Sequence, residues 1–515
     1  ISGGTVTGNN TGGASGTRSA TGNSVTISGG IITGDKVVGG YSRGGDAINN
    51  TISIKKGTGG NPSFWADTQL YGGFDGDTTT HNEVKTGNTL NLHTTGIKVK
   101  NIFNFENLHF YIQGDTAADD TFLTLTDSAN TNITGTNIGV GVEGSQSLLD
   151  VGDKVVLIKK QGTGTLTDPN PGNNTSGMHG IAASYEFEIK KEDTQTLIAE
   201  TTKRPDAAHS QTKSLLESGL AEVDFVNRGA DLANSSGMQQ LVQASDHTGI
   251  KAFGAIGGGK YRTETGSHID VKGANLLLGA GSSINNSAGQ LHVGAYAEGG
   301  TGSYDSVNDF ANAPNVRAHG NTKYYGLGVM LKQDFSNNLY VEGGLRFGKS
   351  QTTYNSSDLQ GAIGSISFKT KRNYTGATLG AGYRFKVNDK MSITPSARLL
   401  YTRLGGTSRV VQGTNFYFDS VRSLRTQLGA KLDYQLNDAA RLYSSLTWER
   451  EHKGMAKGRV LGLNMPAPSM KGNTGIVEFG AQFIPNKNLI IDVGAAGSFG
   501  KRQGGEANIG IKYDF

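Results

Sequence analysis

The 515-residue chain contains no cysteine, which excludes disulfide bonds, thiol catalysis and cysteine-ligated metals. Proline is scarce, with 9 residues, whereas glycine is abundant, with 77. Without a collagen repeat, this combination indicates tight turns and thinly packed strands rather than a disordered chain. No apolar run approaches the roughly 20 residues of a membrane-spanning helix. The formal net charge is only +4 and polybasic tracts are lacking, so nucleic acid is not expected as a partner.

The N-terminal residues contain an internal repeat. The segment ISGGTVTG at 1–8 returns as ISGGIITG at 27–34, and the offset of 26 to 27 residues places Asn23 over Asn50. A repeat of this length, with alternating β-branched residues and Gly–Gly corners, predicts a β-solenoid. Because such coils need three or more neighbours to bury a core, we expect the solenoid to continue upstream of Ile1. A signal peptide, if the protein is exported, would have been removed or lie upstream as well.

Four regions follow from the change of pattern along the chain. The repeat fades near residue 58, a helical pattern replaces the alternation after Pro205, and strict alternation returns after Ile250. The predicted domains are solenoid repeats at 1–57, an irregular β junction that caps the solenoid at 58–204, a linker with a helix at 205–249, and a barrel at 250–515.

The linker holds the one convincing helical pattern of the chain. Apolar residues recur there at helical spacing, and acidic residues lie between them. The apolar set is Leu216, Leu220, Val223 and Val226, and the acidic set is Glu217, Glu222, Asp224 and Asp231. The segment ANSSG, near residue 234, predicts an interruption or an end of this helix.

From Ile250 to the last residues, EANIGIKYDF, apolar and polar residues alternate. Short turns such as FSNN and LNDA alternate with longer loops, as at 299–320 and 456–472, and roughly 265 residues suffice for about twelve strands. The face opposite the apolar one carries charges, at Glu298, Glu342, Arg346, Arg384, Arg425, Lys431, Glu449 and Glu478. This pattern predicts a twelve-stranded antiparallel transmembrane β-barrel of a bacterial outer membrane with a charged lumen. A soluble solenoid joined to a β-sandwich is the alternative.

Residues 205–515 resemble the translocator of a monomeric autotransporter, the type Va secretion route. The stretch LLESGLAEVDFVNRGADLA is similar to the helix that threads such barrels. Gly510, Tyr513 and Phe515 match the terminal signal that the barrel-assembly machinery reads in this family. Residues 1–200 resemble the last coils and the junction of a passenger domain.

The resemblance implies an all-β protein in which a right-handed β-helix passenger is followed by a luminal helix and the barrel. The barrel would secrete and anchor its own passenger at the cell surface. The helix acids would meet Arg346, Arg384, Arg425 or Lys431 in the lumen. Implied partners are outer-membrane lipid and lipopolysaccharide, the barrel-assembly machinery, periplasmic chaperones, and surface molecules of a host or neighbouring cell.

The chain contains motifs that resemble catalytic or nucleotide-binding signatures, but the surrounding sequence does not support those functions. GYSRG at 40–44 has the G-x-S-x-G pattern, but Ser42 falls on Ser15 of the preceding repeat, which indicates a repeat corner. GAIGGGKY at 254–261 lacks the Ser or Thr that would bind magnesium in a phosphate-binding loop. The ten histidines show no metal-binding spacing. We therefore expect no cofactor and no metal site, and we expect the chain not to be an enzyme.

Self-cleavage is one reaction that the resemblance brings forward, since some family members release the passenger when a helix asparagine attacks its own carbonyl. Asn227 and Asn234 are the candidates within the helix, and Glu298, Glu342, Glu449 and Glu478 are candidate assisting acids. The family's cleaving members use an Asn–Asn junction, which neither candidate has. An intact passenger is the favoured expectation.

The passenger's own activity has two candidate classes. Gly/Asn/Thr-rich coils that present ladders of polar side chains favour an adhesin or a self-association factor that supports biofilm. The alternative is the translocator of a secreted enzyme whose catalytic domain lies upstream of this chain.

Overall fold

The computed structural model describes residues 1–77, 82–144, 147, 149–170, 174–242, 250–311, 313–361, 364–486 and 488–514. Its backbone forms two compact units, Ile1–Ala207 and Ala208–Phe515. Phe515, the last residue of the predicted terminal signal, lies outside the described residues. None of the described helices is both long enough and apolar enough to cross a bilayer.

The first unit is a solenoid built from three sets of stacked strands. One set is Thr5–Val6, Ile31–Ile32 and Ser63–Phe64. The second set is Asn10–Thr11, Ala14–Ser15, Lys36–Ser42, Gln69–Asp75 and Asn101–Phe103. The third set, in hydrogen-bonded order, is Ser24–Ser28, Thr51–Lys55, Thr89–Leu92, Asn107–Gln113, Asn137–Glu143, Asn174–His179, Ala183–Lys191, Thr196–Lys203, Lys154–Lys160, Thr121–Leu125 and Ile97–Val99.

Parallel register stacks like residues on like inside the solenoid. Ile27 pairs with Ile54, which pairs with Leu92, which pairs with Phe110, and all four are fully buried. Their stacking excludes water from the solenoid interior, which makes hydrophobic burial the main stabilising term.

A ladder of amides, of which Asn50 and Asn88 are fully buried, marks one corner of the coils. Asn23 Nδ2 donates to Asn50 Oδ1 at 2.9 Å, and Asn50 Nδ2 donates to Asn88 Oδ1 at 3.2 Å. The backbone N–H of Asn50 also donates to Asn88 Oδ1, at 2.8 Å. Each amide therefore satisfies polar groups of the neighbouring coil that burial would otherwise leave unpaired.

Parallel stacking continues well past residue 58, where the sequence repeat fades. Successive stacked positions are separated by 27, 38, 18 and 30 residues along the chain, because the corner loops differ in length. The last coils then give way to antiparallel pairing of Ala183–Lys191 with Asn174–His179 and Thr196–Lys203. These antiparallel strands occupy the edge that another coil would otherwise take.

The second unit begins with a helical segment. A short 3-10 turn, Ser210–Thr212, leads into α1 (Lys213–Leu232), a π-helical turn (Ala233–Gly237) and α2 (Met238–Val242). The side chains of Asn234 and Ser235 donate to the carbonyls of Ala230 and Asp231, four residues back, at 2.7 and 2.8 Å. Such back-bonding disturbs helical hydrogen bonds, so the predicted break at ANSSG is a local π-turn after which the helix resumes.

Twelve strands form the barrel. They are β1 (Lys251–Glu264), β2 (His268–Asn286), β3 (Gly289–Asn308), β4 (Val316–Phe335), β5 (Leu339–Ser356), β6 (Ile366–Tyr383), β7 (Met391–Leu404), β8 (Val421–Asn437), β9 (Ala440–Glu451), β10 (Gly472–Asn486), β11 (Leu489–Gly500) and β12 (Arg502–Asp514). A two-residue strand, Phe385–Lys386, extends β6. Each strand pairs antiparallel with the next, and β12 pairs with β1, for example Gly510 with Ala255. The predicted twelve-stranded antiparallel barrel is confirmed.

Alternation sorts the side chains of each strand between two environments. On β4, Tyr325, Leu327 and Val329 are at least half exposed on the outer wall, whereas Tyr324 and Met330 are buried towards the lumen. An outer face of large apolar residues matches the lipid-facing band of an outer-membrane barrel.

The two ends of the barrel differ. At one end, hairpins such as Asn286 to Gly289 are tight. At the other end lie longer loops, two of which form a four-stranded sheet of Thr407–Val411, Thr414–Phe418, Gly458–Val460 and Leu463–Asn464. The loop predicted at 299–320 is shorter than expected, because β3 runs to Asn308 and β4 begins at Val316.

Candidate functional site

The helical segment lies inside the barrel, which makes the lumen the candidate functional site. Its start lies at the long-loop end, where Gln211 Nε2 donates to the carbonyl of Pro314 at 2.7 Å. Its end lies towards the tight turns, where a Cβ on Gly281 would meet Leu241 at 2.3 Å. Chain entering at the long-loop end therefore threads the barrel once before β1 begins.

This helix is buried on every side, unlike an ordinary amphipathic helix. Its apolar residues Leu216, Leu220, Val223 and Val226 are at most 1% exposed, and its acid Glu222 is fully buried. A charged group is stable in such surroundings only when the wall supplies partners. The lumen must therefore complement each polar helix residue.

Glu217 and Glu222 meet partners on the first barrel strands. Glu217 accepts hydrogen bonds from Thr265 at 2.6 Å and Asn308 at 2.7 Å, and Lys213 Nζ lies 3.6 Å away. Glu222 accepts a hydrogen bond from Ser350 at 2.5 Å and pairs with Arg372 at 3.4 Å. These contacts hold the N-terminal half of α1 against the wall between β1 and β6.

Asp231 joins a four-residue ion network with β8, β9 and β12. Arg425 Nη1 lies 2.9 Å from Asp231 and 3.0 Å from Glu449. Arg502 lies 3.6 Å from Asp231 and 3.4 Å from Glu449. Two cations thus share two carboxylates, so the network carries no net charge and its members can remain ionised in a buried site.

Asp224 and Arg346 complete the charge pattern around α1. Asp224 pairs with Arg228 of the same helix at 3.0 Å. Arg346 pairs with Glu298 at 2.9 Å and donates to the helix carbonyl of Val226 at 2.9 Å. The side chain of Arg346 therefore contacts the backbone of the helix rather than one of the predicted helix acids.

The remaining predicted luminal charges do not contact a helix acid. Glu342 accepts a hydrogen bond from Arg398 at 2.5 Å, and Glu478 accepts one from Ser445 at 3.2 Å. Lys431 donates to Gln239 of α2 at 3.3 Å. Arg384 is exposed just beyond the end of β6.

A polar cavity of 570 Å³ remains beside α2 near the tight turns. Tyr340, Glu342, Arg384, Lys431 and Glu478 are among its lining residues. The lumen therefore keeps an open polar space beside α2.

Two glycines of α1 face the wall at different distances. A Cβ on Gly229 would lie 1.9 Å from Tyr324 Oη, which donates to Asn275 at 2.9 Å. A Cβ on Gly219 would lie 3.1 Å from the end of the Arg372 side chain. Only the first approach requires the absence of a side chain, since real Cβ contacts below 3 Å are essentially absent.

The two candidate asparagines make hydrogen bonds of their own. Asn227 Nδ2 donates to Ser423 Oγ at 3.0 Å, and Ser423 in turn bonds to Glu451. Asn234 Nδ2 donates to the Ala230 carbonyl and to Thr378 Oγ1 at 3.0 Å. Both amide nitrogens, which would be the attacking atoms, are committed as donors.

Gly510 and Tyr513 of the predicted terminal signal lie on β12 at the closure of the barrel. Tyr513 pairs with Ala252 of β1 and is 45% exposed on the outer wall. Gly510 faces inward, where an added Cβ would lie 2.7 Å from both Ser236 Oγ and Gln240 Nε2. Its small size therefore allows the π-turn and α2 to approach the wall.

Sequence reasoning missed several luminal partners. Arg372, Arg398 and Arg502 pair with Glu222, Glu342 and Glu449, respectively. Alternation carries a usable signal for Arg372, since Thr370, Arg372 and Tyr374 occupy the buried positions of β6. No local signal links any of these arginines to a particular acid.

The two motifs that resemble catalytic signatures, GYSRG and GAIGGGKY, have structural roles in the described part of the chain. Ser42 is fully buried and donates to the Arg18 carbonyl of the neighbouring coil at 2.9 Å. GAIGGGKY lies within β1. Among the described residues, no group of three or more His, Asp or Glu is placed to hold a metal ion.

Residues 251–496 match the family model of the autotransporter beta-domain. The translocator domain of autotransporter NalP from Neisseria meningitidis is 16% identical, with 58% of this chain and 98% of that chain covered and a TM-score of 0.46. The transport unit of autotransporter AIDA-I from Escherichia coli is 14% identical, with 56% and 98% covered and a TM-score of 0.43. A comparison with curated proteins found no match.

The family match covers β1 to most of β11, and the described strands of this region close into a barrel together with β12. Residues 251–496 are an autotransporter beta-domain, and the chain is a bacterial outer-membrane translocator barrel preceded by a β-solenoid passenger exposed at the cell surface.

Proposed function

We propose that the passenger is an adhesin or self-association factor, which the barrel anchors at the cell surface. The observation that supports this proposal is a row of hydrogen-bonded polar side chains on the outer face of the solenoid. Asn107 Nδ2 donates to Thr89, Asn137 Nδ2 to Asn107, and Asn170 Nδ2 to Asn137, at 3.5, 3.1 and 2.8 Å. Aligned amides and hydroxyls present the same groups at each coil, which suits repeated weak contacts with another surface.

Cells that display the full chain behind a signal peptide provide the test. We expect them to aggregate or to adhere to a host-cell layer, and we expect protease treatment of intact cells to abolish both effects. Displayed chain that causes neither would contradict the proposal. Such a result would favour the alternative, a translocator whose enzyme domain lies upstream.

We propose further that the helix remains in the lumen after secretion as a plug and an anchor. The ion network of Asp231, Arg425, Glu449 and Arg502 supports this role, because removing the helix would leave the wall residues without their shared partner. Surface proteolysis should leave a protected fragment that begins between about residue 200 and the start of α1 at Lys213, since chain within the lumen is shielded. A fragment beginning at β1 would show that the helix leaves the barrel.

The terminal strand is proposed to direct assembly. Gly510, Tyr513 and Phe515 would be read by the barrel-assembly machinery, after delivery by periplasmic chaperones, and the finished wall would contact lipid and lipopolysaccharide. Tyr513→Ala should lower the amount of folded barrel in the outer membrane, measured as the heat-modifiable gel band. The exposed Tyr325→Ala on β4 is the matched control, because it removes the same side chain from the outer wall away from the terminus.

A further inference from the structure

The passenger has a cleft that its core packing does not explain. This cleft has a volume of 360 Å³ and lies where strands Thr51–Lys55, Thr89–Leu92, Asn107–Gln113 and Asn137–Glu143 end at one corner of the solenoid. Its lining is entirely polar, with Lys55, Lys56, Asn61, His93, Gln113 and Glu143 among the residues. The volume falls within the about 300–1,000 Å³ that small-ligand sites occupy.

Glu143 is the fixed acceptor of this cleft. Its Oε2 accepts hydrogen bonds from His93 Nδ1 at 2.9 Å and Gln113 Nε2 at 3.2 Å. The carboxylate is 35% exposed, and its other oxygen has no bonded partner among the described residues. An oriented carboxylate with a spare oxygen is a strong acceptor for hydroxyl groups.

The surrounding side chains hold this acceptor in place. The His93 imidazole stacks on Tyr111 with the ring centroids 4.3 Å apart and the planes 3° from parallel. On its other side Tyr111 lies over Gly141, where a Cβ would be 3.0 Å from the Tyr111 ring. The opposite rim is braced by Asn61, which accepts from Thr94 Oγ1 at 2.7 Å and donates to the Thr95 carbonyl at 2.7 Å.

Charge on the lining is balanced rather than of one sign. Lys56 faces Asp115 across the cleft at 3.6 Å, and both are largely exposed. Lys55 and Glu143, which also line the cleft, carry opposite charges. A site for an anionic ligand would carry an excess of cations. Balanced donors and acceptors instead suit a neutral ligand with several hydroxyl groups.

We propose that this cleft binds a neutral saccharide. Glu143 accepts hydrogen bonds from sugar hydroxyls, and Lys56 and Asn61 donate to sugar oxygens from the opposite rim. The inference rests on the proposed adhesive function, and it assigns that function a ligand class. No covalent step is involved.

Saturation-transfer NMR on the full chain tests the proposal. The chain is held in micelles of a detergent without a sugar head group, which would otherwise compete. The probes are D-glucose, D-galactose, D-mannose and N-acetyl-D-glucosamine, with D-glucuronate as the anionic comparison. We expect transfer to at least one neutral sugar. Transfer to none of the four, or to glucuronate alone, would overturn the proposal.

Two variants locate the binding. Glu143→Gln and Lys56→Ala should each weaken it by about tenfold or more, because each removes a charge-assisted hydrogen bond. Glu186→Gln and Lys203→Ala, which make the same changes at residues that do not line the cleft, should not. Lys56 is exposed, so its variant folds even if Glu143→Gln does not. Undiminished binding in both cleft variants would overturn the assignment.

Cell assays separate this inference from the adhesive function. Cells that adhere or aggregate without sugar binding by the chain would contradict the cleft and leave the adhesin standing. Sugar binding without adhesion or aggregation would support the cleft as a binding site and contradict the adhesive function. Adhesion to sugar-coated beads would identify a host-type glycan, whereas aggregation only with bacteria that carry O-polysaccharide would identify a neighbouring cell as the source.

Discussion

Arg425 of β8 lies 2.9 Å from Asp231 of α1 and 3.0 Å from Glu449 of β9. One guanidinium thus joins the helix to two strands of the wall. Arg425→Leu would leave two buried carboxylates with Arg502 as their remaining cation, at 3.4 and 3.6 Å. Breaking a buried pair of this kind costs about 3–5 kcal/mol.

We expect Arg425→Leu to lower the temperature at which the folded gel band is lost and to raise ion conductance through the barrel in planar bilayers. Arg450→Leu on β9, whose side chain is exposed, is the control. Equal behaviour of both variants would show that the network does not retain the helix.

Gly229→Ala and Gly219→Ala form a matched pair on one helix. Gly229→Ala places a Cβ 1.9 Å from Tyr324 Oη, whereas Gly219→Ala meets the end of Arg372 at 3.1 Å. Alanine improves helix propensity by about 1 kcal/mol at either site. We therefore expect Gly229→Ala to destabilise the folded barrel and Gly219→Ala to be neutral or stabilising, as read from the thermal loss of the folded band.

Gly510→Val should displace the π-turn and α2 from the wall. Its side chain would enter the space held by Ser236 and Gln240, since a Cβ at this position would lie 2.7 Å from a side-chain atom of each. Gly497→Val on β11 is the control, since nothing lies within 4 Å of a Cβ there. Faster proteolysis of the helix in purified Gly510→Val, with the barrel band retained, is the expected result; unchanged proteolysis would contradict it.

The passenger should lose stability as the pH falls below about 6.5. Burial lowers the pKa of His109 and of His179 from the usual 6.5, although the bond from His179 to the Gly144 carbonyl opposes the shift. The folded state therefore favours neutral imidazoles, so its stability is full above 6.5 and declines as both side chains are protonated in the unfolded chain.

Glu143 also lowers the stability of the passenger as the pH falls, but it does so at a lower pH than the histidines. Burial, the largest single influence, raises the pKa of its carboxyl, but the interaction with His93, the hydrogen bond from Gln113 and the charge of Lys55 together outweigh burial, so the pKa lies below its usual 4.5. Its contribution is present above 4.5 and lost as the pH falls further. Thermal melts of Trp448→Phe, whose fluorescence comes from Trp65 in the passenger, measure both effects. A melting temperature independent of pH between 7 and 4 would contradict them.

The passenger should stay joined to the barrel. The amide nitrogen of Asn234 donates to the Ala230 carbonyl at 2.7 Å and to Thr378 at 3.0 Å, so it is held away from its own carbonyl. We expect one band at the mass of the intact chain, identical in Asn234→Ala and Asn227→Ala. A shorter barrel band that disappears in either variant would show self-cleavage at that residue.

The sequence by itself determined the local patterns of this protein. A two-residue period, a helical period and a repeat are each read within a few neighbouring residues, because strand and helix geometry impose them directly. The barrel, its strand number, the helix and the first solenoid coils could therefore be predicted.

Only the tertiary structure decided which residues meet. Glu222 pairs with Arg372 and Asp231 with Arg425, although 150 and 194 residues separate the partners along the chain. Likewise, the coils past residue 58 stack at irregular spacing, which hides their repeat. The register of each strand and the depth of the helix in the barrel determine which residues pair, and a local sequence period carries no information about either. Contact choice is a long-range property, whereas side-chain alternation is a local one.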